Sequence, residues 1–308
     1  MKKVIVTTTI NEPTIAISKF QLMEDWHLIV VGDKKTPSSY SLKRGEYLSP
    51  EMQENLYPDL SRALGWNCIQ RRNIGFLHAL AIGADIIATV DDDNVPLEGW
   101  ALNVKIEQEI EVSKYISKDK VFDPIAVTNY SHLWHRGFPL QYLQSRKYEL
   151  DPNKAIEVFD IQADFWNGDP DIDAICRMEH APDCQFDESV FPFTSNAFSP
   201  FNSQNTFLSR RVLQHYFMFP FVGRMDDIWA AYYVQALGFK VFYQAASVRQ
   251  DRNVHDLTID FEREVIGYLN NHKLITDIKS DPDSLEKYVG SESWEAFQIY
   301  RKWVQKVL

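Results

Sequence analysis

The chain of 308 residues contains 45% hydrophobic and 24% charged residues, so it can bury one large α/β core or two smaller ones. Its net charge of −11 argues against sequence-independent binding of nucleic acid, because neutralising phosphates requires clustered Lys and Arg. The three cysteines do not suggest a disulfide framework, and the sequence has neither an apolar run of membrane-spanning length nor a signal-peptide core. We therefore expect a cytoplasmic protein without a membrane span.

The first third of the chain alternates short apolar runs with helical patterns. Strands are predicted at Val4–Thr9, Leu28–Val31 and Ala84–Val90. A short helix is predicted over Thr14–Met23, and the stretch Asp59–Ile82 is mostly helical in pattern. This alternation favours an α/β fold with a doubly wound, mostly parallel sheet flanked by helices.

All three predicted strands end in polar residues. Thr8 and Asn11 follow the first strand, Asp33 follows the second, and Asp91–Asn94 follow the third. Because ligands of open α/β sheets bind beyond the carboxyl ends of the strands, we expect these side chains to line one polar crevice.

The three consecutive carboxylates Asp91, Asp92 and Asp93 provide hard oxygen ligands that suit Mg²⁺ or Mn²⁺ carrying a substrate phosphate. The alternative is a solvated acidic turn, since Asp and Asn are common turn residues. The glycine-rich fingerprints of nicotinamide-binding proteins and P-loop ATPases are absent, as is the Gly-x-Ser-x-Gly motif of serine hydrolases. A bound nucleotide would therefore depend on metal carboxylates to hold its phosphates.

Two groups of arginines are candidates for contacting a diphosphate. The pair Arg71 and Arg72 precedes the third strand and could reach the nucleotide or the carboxylates, unless both are solvated. Arg136 lies in a loop rich in aromatic residues, where its planar guanidinium could neutralise a diphosphate.

The rest of the chain carries fewer recognisable patterns. We expect a helix over Leu97–Ser113, an extended segment over Phe122–Asn129, and an acidic, turn-rich segment over Asp151–Glu188 that covers the crevice or shapes an acceptor pocket. Lys240–Tyr243 is predicted to be the last strand, and the pattern from Phe261 to the end is helical.

Two adjacent carboxylates open a predicted helix at Asp226 and Asp227. Asp226 could cap that helix, which would leave Asp227 for chemistry.

Upstream, the amide-rich stretch Phe198–Thr206 could hydrogen-bond a polyhydroxylated ligand or simply cap turns.

Several of these motifs resemble the STELLO-type glycosyltransferase family, and the acidic triplet resembles the DXD motif of GT-A-fold glycosyltransferases that use nucleotide sugars. The five matching motifs are Thr8–Thr14, Val31–Pro37, Arg72–Gly75, Asp91–Asn94 and Phe201–Thr206. They occur in the right order over about two-thirds of the chain.

The second half also resembles the reversibly glycosylated polypeptides, which are UDP-arabinopyranose mutases. The similar pieces are Arg136–Pro139 and Gly223–Trp229. In those mutases, the arginine that matches Arg136 is the residue that becomes glycosylated.

The resemblance implies a GT-A-like domain at residues 1–260, a C-terminal helical extension at 261–308, and a UDP-linked or similar donor with Mn²⁺ or Mg²⁺. The metal ligands would be Asp91, Asp93 and His255. The residues expected to contact the nucleotide sugar are Thr8, Thr9, Asn11, Asp33, Arg71, Arg72, Asp91, Asp92, Asn205 and Arg224.

The expected chemistry is transfer of a sugar to an acceptor hydroxyl of a carbohydrate or another molecule. A metal would stabilise the leaving diphosphate, Arg136 or Arg224 would add positive charge, and Asp227 or Asp226 would act as the base. The alternatives are pyranose–furanose mutase activity and non-catalytic binding of a nucleotide sugar. The sequence does not predict the oligomeric state, and a homo-oligomer is one alternative.

Overall fold

A central mixed sheet of twelve strands, flanked by helices, organises the chain in the computed structural model, which describes residues 1–251 and 256–308. The strands are β1 Lys3–Thr8, β2 Trp26–Val31, β3 Glu46–Leu48, β4 Ile86–Val90, β5 Asn94–Pro96, β6 Glu109–Ile116, β7 Glu149–Leu150, β8 Ala155–Val158, β9 Ile161–Gly168, β10 Phe193–Ser195, β11 Asn205–Ser209 and β12 Val241–Gln250. The α-helices are α1 Ile15–Phe20, α2 Pro50–Leu56, α3 Pro58–Leu64, α4 Arg72–Ala81, α5 Ala174–Glu179, α6 Arg210–Leu213, α7 Asp226–Ala236, α8 Leu257–Ser280, α9 Glu286–Val289 and α10 Ser291–Val307. The predicted α/β class is confirmed.

The N-terminal part of the sheet is parallel, as the sequence predicts. β1 pairs in parallel with β2 and with β4, and β2 pairs in parallel with β3. Helix α4 covers this part closely at Gly75, where an added Cβ would lie 2.5 Å from Val6 Cγ1 and 2.8 Å from Val31 Cγ2. A residue without a side chain is therefore required for this helix to reach the sheet.

Strand β11 lies between β4 and β9 in the sheet and brings its first residues to the edge where the neighbouring strands end; this is called the shared edge below. β11 pairs antiparallel with β4 and with β9, while β12 runs parallel to β9. The ends of β1, β2, β4, β9 and β12 therefore meet the beginning of β11 at the same edge. The predicted crevice forms at this edge, where residues at or just beyond the ends of β1, β2 and β4 meet the loop before β11.

The C-terminal helices share the core of the sheet domain. Tyr300 on α10 donates a hydrogen bond to the Leu213 carbonyl at 2.8 Å, and Trp229 on α7 donates to Asn271 on α8 at 2.8 Å. The helical prediction from Phe261 onward is confirmed, although α8 begins slightly earlier, at Leu257. No helix among residues 1–251 and 256–308 is long and apolar enough to span a bilayer.

Three predictions of local structure are wrong. Leu97–Ser113 is not a helix: Gly99, Ala101 and Glu107 have φ values of 80°, 61° and 59°, outside the right-handed helical region, and β6 then begins at Glu109. Within the predicted extended segment, Pro124–Val127 forms a 3₁₀ turn capped by Asp123.

The third error concerns the acidic segment Asp151–Glu188. It contains β9, whose eight residues are all buried and which pairs with β11 and β12 near the middle of the sheet. Its polar residues Gln162 and Asp164 bond to each other at 2.7 Å, so a buried strand can carry them despite the unfavourable pattern.

Candidate active site

Two neighbouring pockets open at the shared edge of the sheet. The first, here called the strand pocket, has a volume of about 320 Å³ and is lined by Thr8, Thr9, Asn11, Asp33, Arg71 and Asp92, among others. The second, here called the carboxylate pocket, has a volume of about 510 Å³ and is lined by Asp91, Arg136, Arg224, Asp226 and Asp227, among others. Asn67, Cys68 and Ile69 line both pockets, so the two are adjoining compartments.

The strand pocket is built around two carboxylates. Asp92 accepts hydrogen bonds from the Thr9 hydroxyl at 2.5 Å and from the Asn11 amide at 3.2 Å. Asp33 accepts hydrogen bonds from the backbone N–H groups of Asn67 at 2.8 Å and Cys68 at 3.0 Å. Asp33 therefore also fixes the loop that separates the two pockets.

Arg72 connects the end of β4 to the loop before β11. Its guanidinium donates to Asp91 Oδ1 at 2.6 Å, to the Ser203 carbonyl at 2.9 Å and to the Thr8 hydroxyl at 3.2 Å. Burial raises the pKa of Asp91 to about 6; the nearby carboxylate of Asp93 adds to this rise, and Arg72 opposes it. Of the basic pair, Arg72 is the member that reaches the carboxylates.

Arg71 takes a different, structural position. It donates to Gln53 Oε1 at 2.9 Å and to the carbonyls of Ser61 at 2.9 Å and Gly65 at 3.0 Å, and its guanidinium lies 3.7 Å from the ring centre of Trp66. Arg71 therefore does not reach the acidic triplet, and its expected contact with the nucleotide stays a prediction. Arg71 is fully buried and forms part of the wall of the strand pocket.

The acidic triplet does not converge on a single point. Asp91 bonds to Arg72, Asp92 bonds to Thr9, and Asp93 lies 3.4 Å from the amide of Gln250 at the end of β12. No group of three or more His, Cys, Asp or Glu side chains is placed to hold a metal among residues 1–251 and 256–308. The expected ligand His255 lies outside the described residues.

The donor atoms near the triplet nevertheless have the chemistry of a hard-cation site. Asp91 and Asp93 provide carboxylate oxygens, and the buried Oδ1 of the adjacent Asn94 accepts no hydrogen bond in the described part of the chain. Oxygen ligands of this kind suit Mg²⁺ and Mn²⁺. The chemistry of these oxygen atoms suits a divalent cation, and the assignment of Asp91, Asp93 and His255 as its ligands stays a prediction.

Arg136 is the centre of a buried ion-pair network. It makes a bidentate pair with Asp171 at 2.7 and 2.9 Å, contacts Asp227 at 3.0 and 3.2 Å, and donates to the Arg224 carbonyl. Each of its three nitrogens has a protein partner. The expectation that Arg136 neutralises a diphosphate is not supported by this geometry, because its charge is already matched by two carboxylates.

The two carboxylates that open α7 occupy different environments. Burial would by itself raise the pKa of Asp227, but Arg136 holds it below its ordinary value, and the Ser203 N–H also donates to this carboxylate at 2.9 Å. Burial, with the charge of Asp227, raises the pKa of Asp226 to about 7, while Gln70 donates to it at 2.8 Å. The side chain of Asp226 does not cap the helix as expected, since the N-cap is Met225 and has no side-chain bond.

Two further predicted residues have partners within the protein. Arg224 pairs with Glu264 at 2.8 Å and Asp260 at 3.3 Å, yet it still lines the carboxylate pocket beside Arg263. The Asn205 side chain is fully buried, donates to the Phe165 carbonyl at 3.1 Å, and accepts from Trp100 at 3.1 Å. The structure does not bring Asn205 to either pocket.

Sequence reasoning missed Gln70, Asp171, Ser203 and Arg263. Ser203 lies inside the amide-rich stretch and Gln70 directly precedes the basic pair, so their neighbourhoods were recognised but not their roles. Asp171 carried no signal, because its partner Arg136 is 35 residues away. Arg263 carried none, because no local motif distinguishes it from other exposed arginines of a helix.

A mixed α/β domain whose shared strand edge carries two joined, carboxylate-lined pockets has the form of a site for a small polar or phosphorylated ligand.

No family model matches the chain. It is 25% identical over 278 residues to the protein named "Probable glycosyltransferase STELLO1" of Arabidopsis thaliana, and 24% identical to "Probable glycosyltransferase STELLO2" of the same plant. The alignments cover 82% of this chain and 36% of each plant protein, so the chain spans about a third of these relatives. The similarity to STELLO-type proteins that the motifs indicate is confirmed.

Among solved structures, the chain is similar to glucosyl-3-phosphoglycerate synthase of Mycobacterium tuberculosis. Its complex with Mn²⁺ and UDP-glucose has a TM-score of 0.43 at 12% identity, covering 88% of this chain and 78% of that chain. Its complex with phosphoglyceric acid has a TM-score of 0.42 at 13% identity, covering 92% and 81%.

Replacing Arg136 with Gln should destabilise the protein by about 3–5 kcal/mol, because the buried carboxylates of Asp171 and Asp227 would lose their shared counter-charge. Urea unfolding monitored by circular dichroism measures the change. Asp171→Asn should cost less, since Asp227 still balances Arg136. Lys118→Gln breaks the exposed pair with Glu149 and serves as the control that leaves stability unchanged. An Arg136→Gln protein as stable as this control would contradict the network.

Proposed function

We propose that the protein is a glycosyltransferase that moves a sugar from a nucleoside diphosphate sugar, with UDP as the expected nucleotide, to an acceptor hydroxyl with the help of Mn²⁺ or Mg²⁺. The observation that carries this proposal is the joining of two pockets around residues 67–69, with Asp91 lining one and Asp92 the other. A donor with a nucleoside at one end and a sugar at the other requires such a pair of compartments.

The strand pocket suits the nucleoside. Thr8, Thr9, Asn11, Asp33 and Asp92 surround it with hydroxyl, amide and carboxylate groups. Asp92 is held in place by Thr9 and Asn11, so its carboxylate is oriented before a ligand arrives. A ribose hydroxyl is the natural partner of an oriented carboxylate of this kind.

The diphosphate would then lie at the junction of the pockets. Asp91 and Asp93, with His255 as the expected third ligand, would hold the cation. When bound, a divalent cation neutralises the charge that develops on the leaving diphosphate. Arg263 adds an exposed guanidinium to the carboxylate pocket, and within the described chain it has no ion-pair partner.

Asp226 is the better candidate for the base. It lines the carboxylate pocket, and its raised pKa of about 7 matches the pH at which a general base works best. The proton of the acceptor hydroxyl would pass to Asp226 as that oxygen bonds to the anomeric carbon and the carbon–oxygen bond to the diphosphate breaks. Asp227 is too strongly held in its ionised form by Arg136 to accept a proton readily.

Arg136 acts in this proposal as a positioning residue. It fixes Asp227 and, through the neighbouring backbone, the start of α7 that carries Asp226. Its three occupied nitrogens argue against its becoming glycosylated, as the matching arginine is in the mutases. The names of the plant relatives also favour transfer, although they describe proteins nearly three times longer than the matched region.

Turnover of nucleotide sugars by the purified protein tests the proposal. In Mn²⁺, at least one of a panel of UDP, GDP and ADP sugars should release its nucleoside diphosphate, measured by a coupled phosphatase assay. Asp93→Ala should abolish this release, and Asp226→Asn should lower transfer by about 10²- to 10⁴-fold. Asp25→Asn, an exposed acid remote from both pockets, is the matched control.

Full turnover in Asp93→Ala would refute the assignment of Asp93 to a metal site, and full transfer in Asp226→Asn would refute the assignment of Asp226 as the base. A furanose product formed from the donor alone would favour the mutase alternative. Binding of UDP without turnover of any donor would favour a non-catalytic role.

The pH profile of kcat/KM separates the two carboxylates of α7. Activity should rise with pH up to about 7, because the base must be ionised. Asp227→Asn removes a neighbouring negative charge and should move this acidic limb down by about one pH unit. Gln70→Met removes a hydrogen bond that favours the ionised form and should move the limb up. Limbs that stay in place in both variants would show that the ionising group is not Asp226.

A further inference from the structure

Phe221 combines three properties that packing does not explain. Its side chain is 64% exposed, although nearly all the other phenylalanines are buried or half-buried. Its backbone has a φ of 65°, a left-handed conformation that bulky residues rarely adopt. Its ring makes no contact with another aromatic ring in the described part of the chain, and it lines the carboxylate pocket.

The exposure of the Phe221 ring and its left-handed backbone are both unfavourable for the free protein. An exposed aromatic ring leaves a large apolar surface in water, and a left-handed backbone at a non-glycine residue stores strain. Strained residues of this kind concentrate at ligand sites, where a bound molecule covers what the free protein leaves exposed. The position of Phe221, five residues before Asp226, places this exposed ring at the pocket of the proposed base.

The other lining residues limit what can cover the ring. Only Ile69, Met218 and Phe221 supply large apolar side chains to a pocket that also contains Gln70, Ser203 and several charged groups. A lipid chain would need a more apolar lining, whereas a sugar ring has one face of C–H groups and a rim of hydroxyls. The C–H groups are attracted to the negative face of an aromatic ring.

We propose that Phe221 is the stacking platform of an acceptor subsite, and that the acceptor is a carbohydrate with one ring face on Phe221 and a hydroxyl directed to Asp226. This inference rests on the proposed glycosyl transfer and adds the class of acceptor. A volume of about 510 Å³ lies within the usual range for ligand pockets and leaves room for an acceptor beside the transferred sugar.

Saturation-transfer difference NMR on the full chain with UDP and Mg²⁺ tests the subsite; Mg²⁺ replaces Mn²⁺ because the paramagnetic ion would broaden the glycoside proton signals. The probes are the methyl α- and β-glycosides of glucose, galactose, mannose, xylose and arabinose. At least one should receive saturation on the protons of a single ring face in the wild type. The signal should fall at least fivefold in Phe221→Gly and persist in Phe221→Tyr, because tyrosine keeps the aromatic face.

Two controls separate stacking from a structural role. Leu269→Ala removes another side chain that is 64% exposed, lies outside both pockets, and should leave the glycoside signal unchanged. Phe221→Gly should melt at or above the wild-type temperature, because glycine tolerates the left-handed backbone. Glu107→Gly makes the same backbone change at a φ of 59° outside the pockets.

The donor side is measured separately. Hydrolysis of the active nucleotide sugar without acceptor should keep its KM in Phe221→Gly; an increase would assign the ring to the donor sugar and overturn the acceptor subsite. A wild type that binds UDP and turns over a donor but gives no glycoside signal would refute the acceptor class alone. Equal signals in Phe221→Gly and wild type, or loss in Phe221→Tyr, would also refute it. Failure to bind UDP or use any donor would instead refute the proposed function.

Discussion

The pairing of Arg72 with Asp91 is the interaction on which the shape of the site depends. Arg72 is buried, and through Asp91, Thr8 and Ser203 it holds together the ends of β4 and β1 and the loop before β11. Ser203 also donates to Asp227, which pairs with Arg136. One continuous polar network thus runs from the strand ends to the start of α7, and both pockets form along it.

This network also separates the properties of two adjacent acids. Asp227 pairs with Arg136 and stays ionised, whereas Asp226 lines a pocket, accepts a side-chain hydrogen bond from neutral Gln70, and holds its proton more tightly. Neighbouring carboxylates whose environments move their pKa values apart are a common basis for acid–base chemistry. The buried charge of Arg136 is therefore part of how Asp226 could become a base near neutral pH.

Local patterns predicted the parallel strands and their polar ends because the relevant information lies within a few residues. The apolar runs at β1, β2 and β4 lead directly into Thr8, Asp33 and Asp91, and these do meet at one edge. The partners of Arg136 could not be predicted in this way, since Asp171 and Asp227 are 35 and 91 residues away. Strand β9 was missed because its polar residues satisfy one another only after folding. The expectation for Asn205 failed because an amide that bonds to Trp100 reads the same in sequence as one that binds a ligand.

The edge formed by the strand ends is the proposed binding site of a nucleoside diphosphate and a divalent cation. A crystal structure of the protein soaked with UDP and Mn²⁺ tests it most directly, with anomalous scattering locating the manganese. We expect a nucleoside in the strand pocket beside Asp92 and a manganese ion within coordination distance of Asp91 or Asp93. A nucleotide bound elsewhere, or no manganese near the acidic triplet at saturating concentrations, would contradict it.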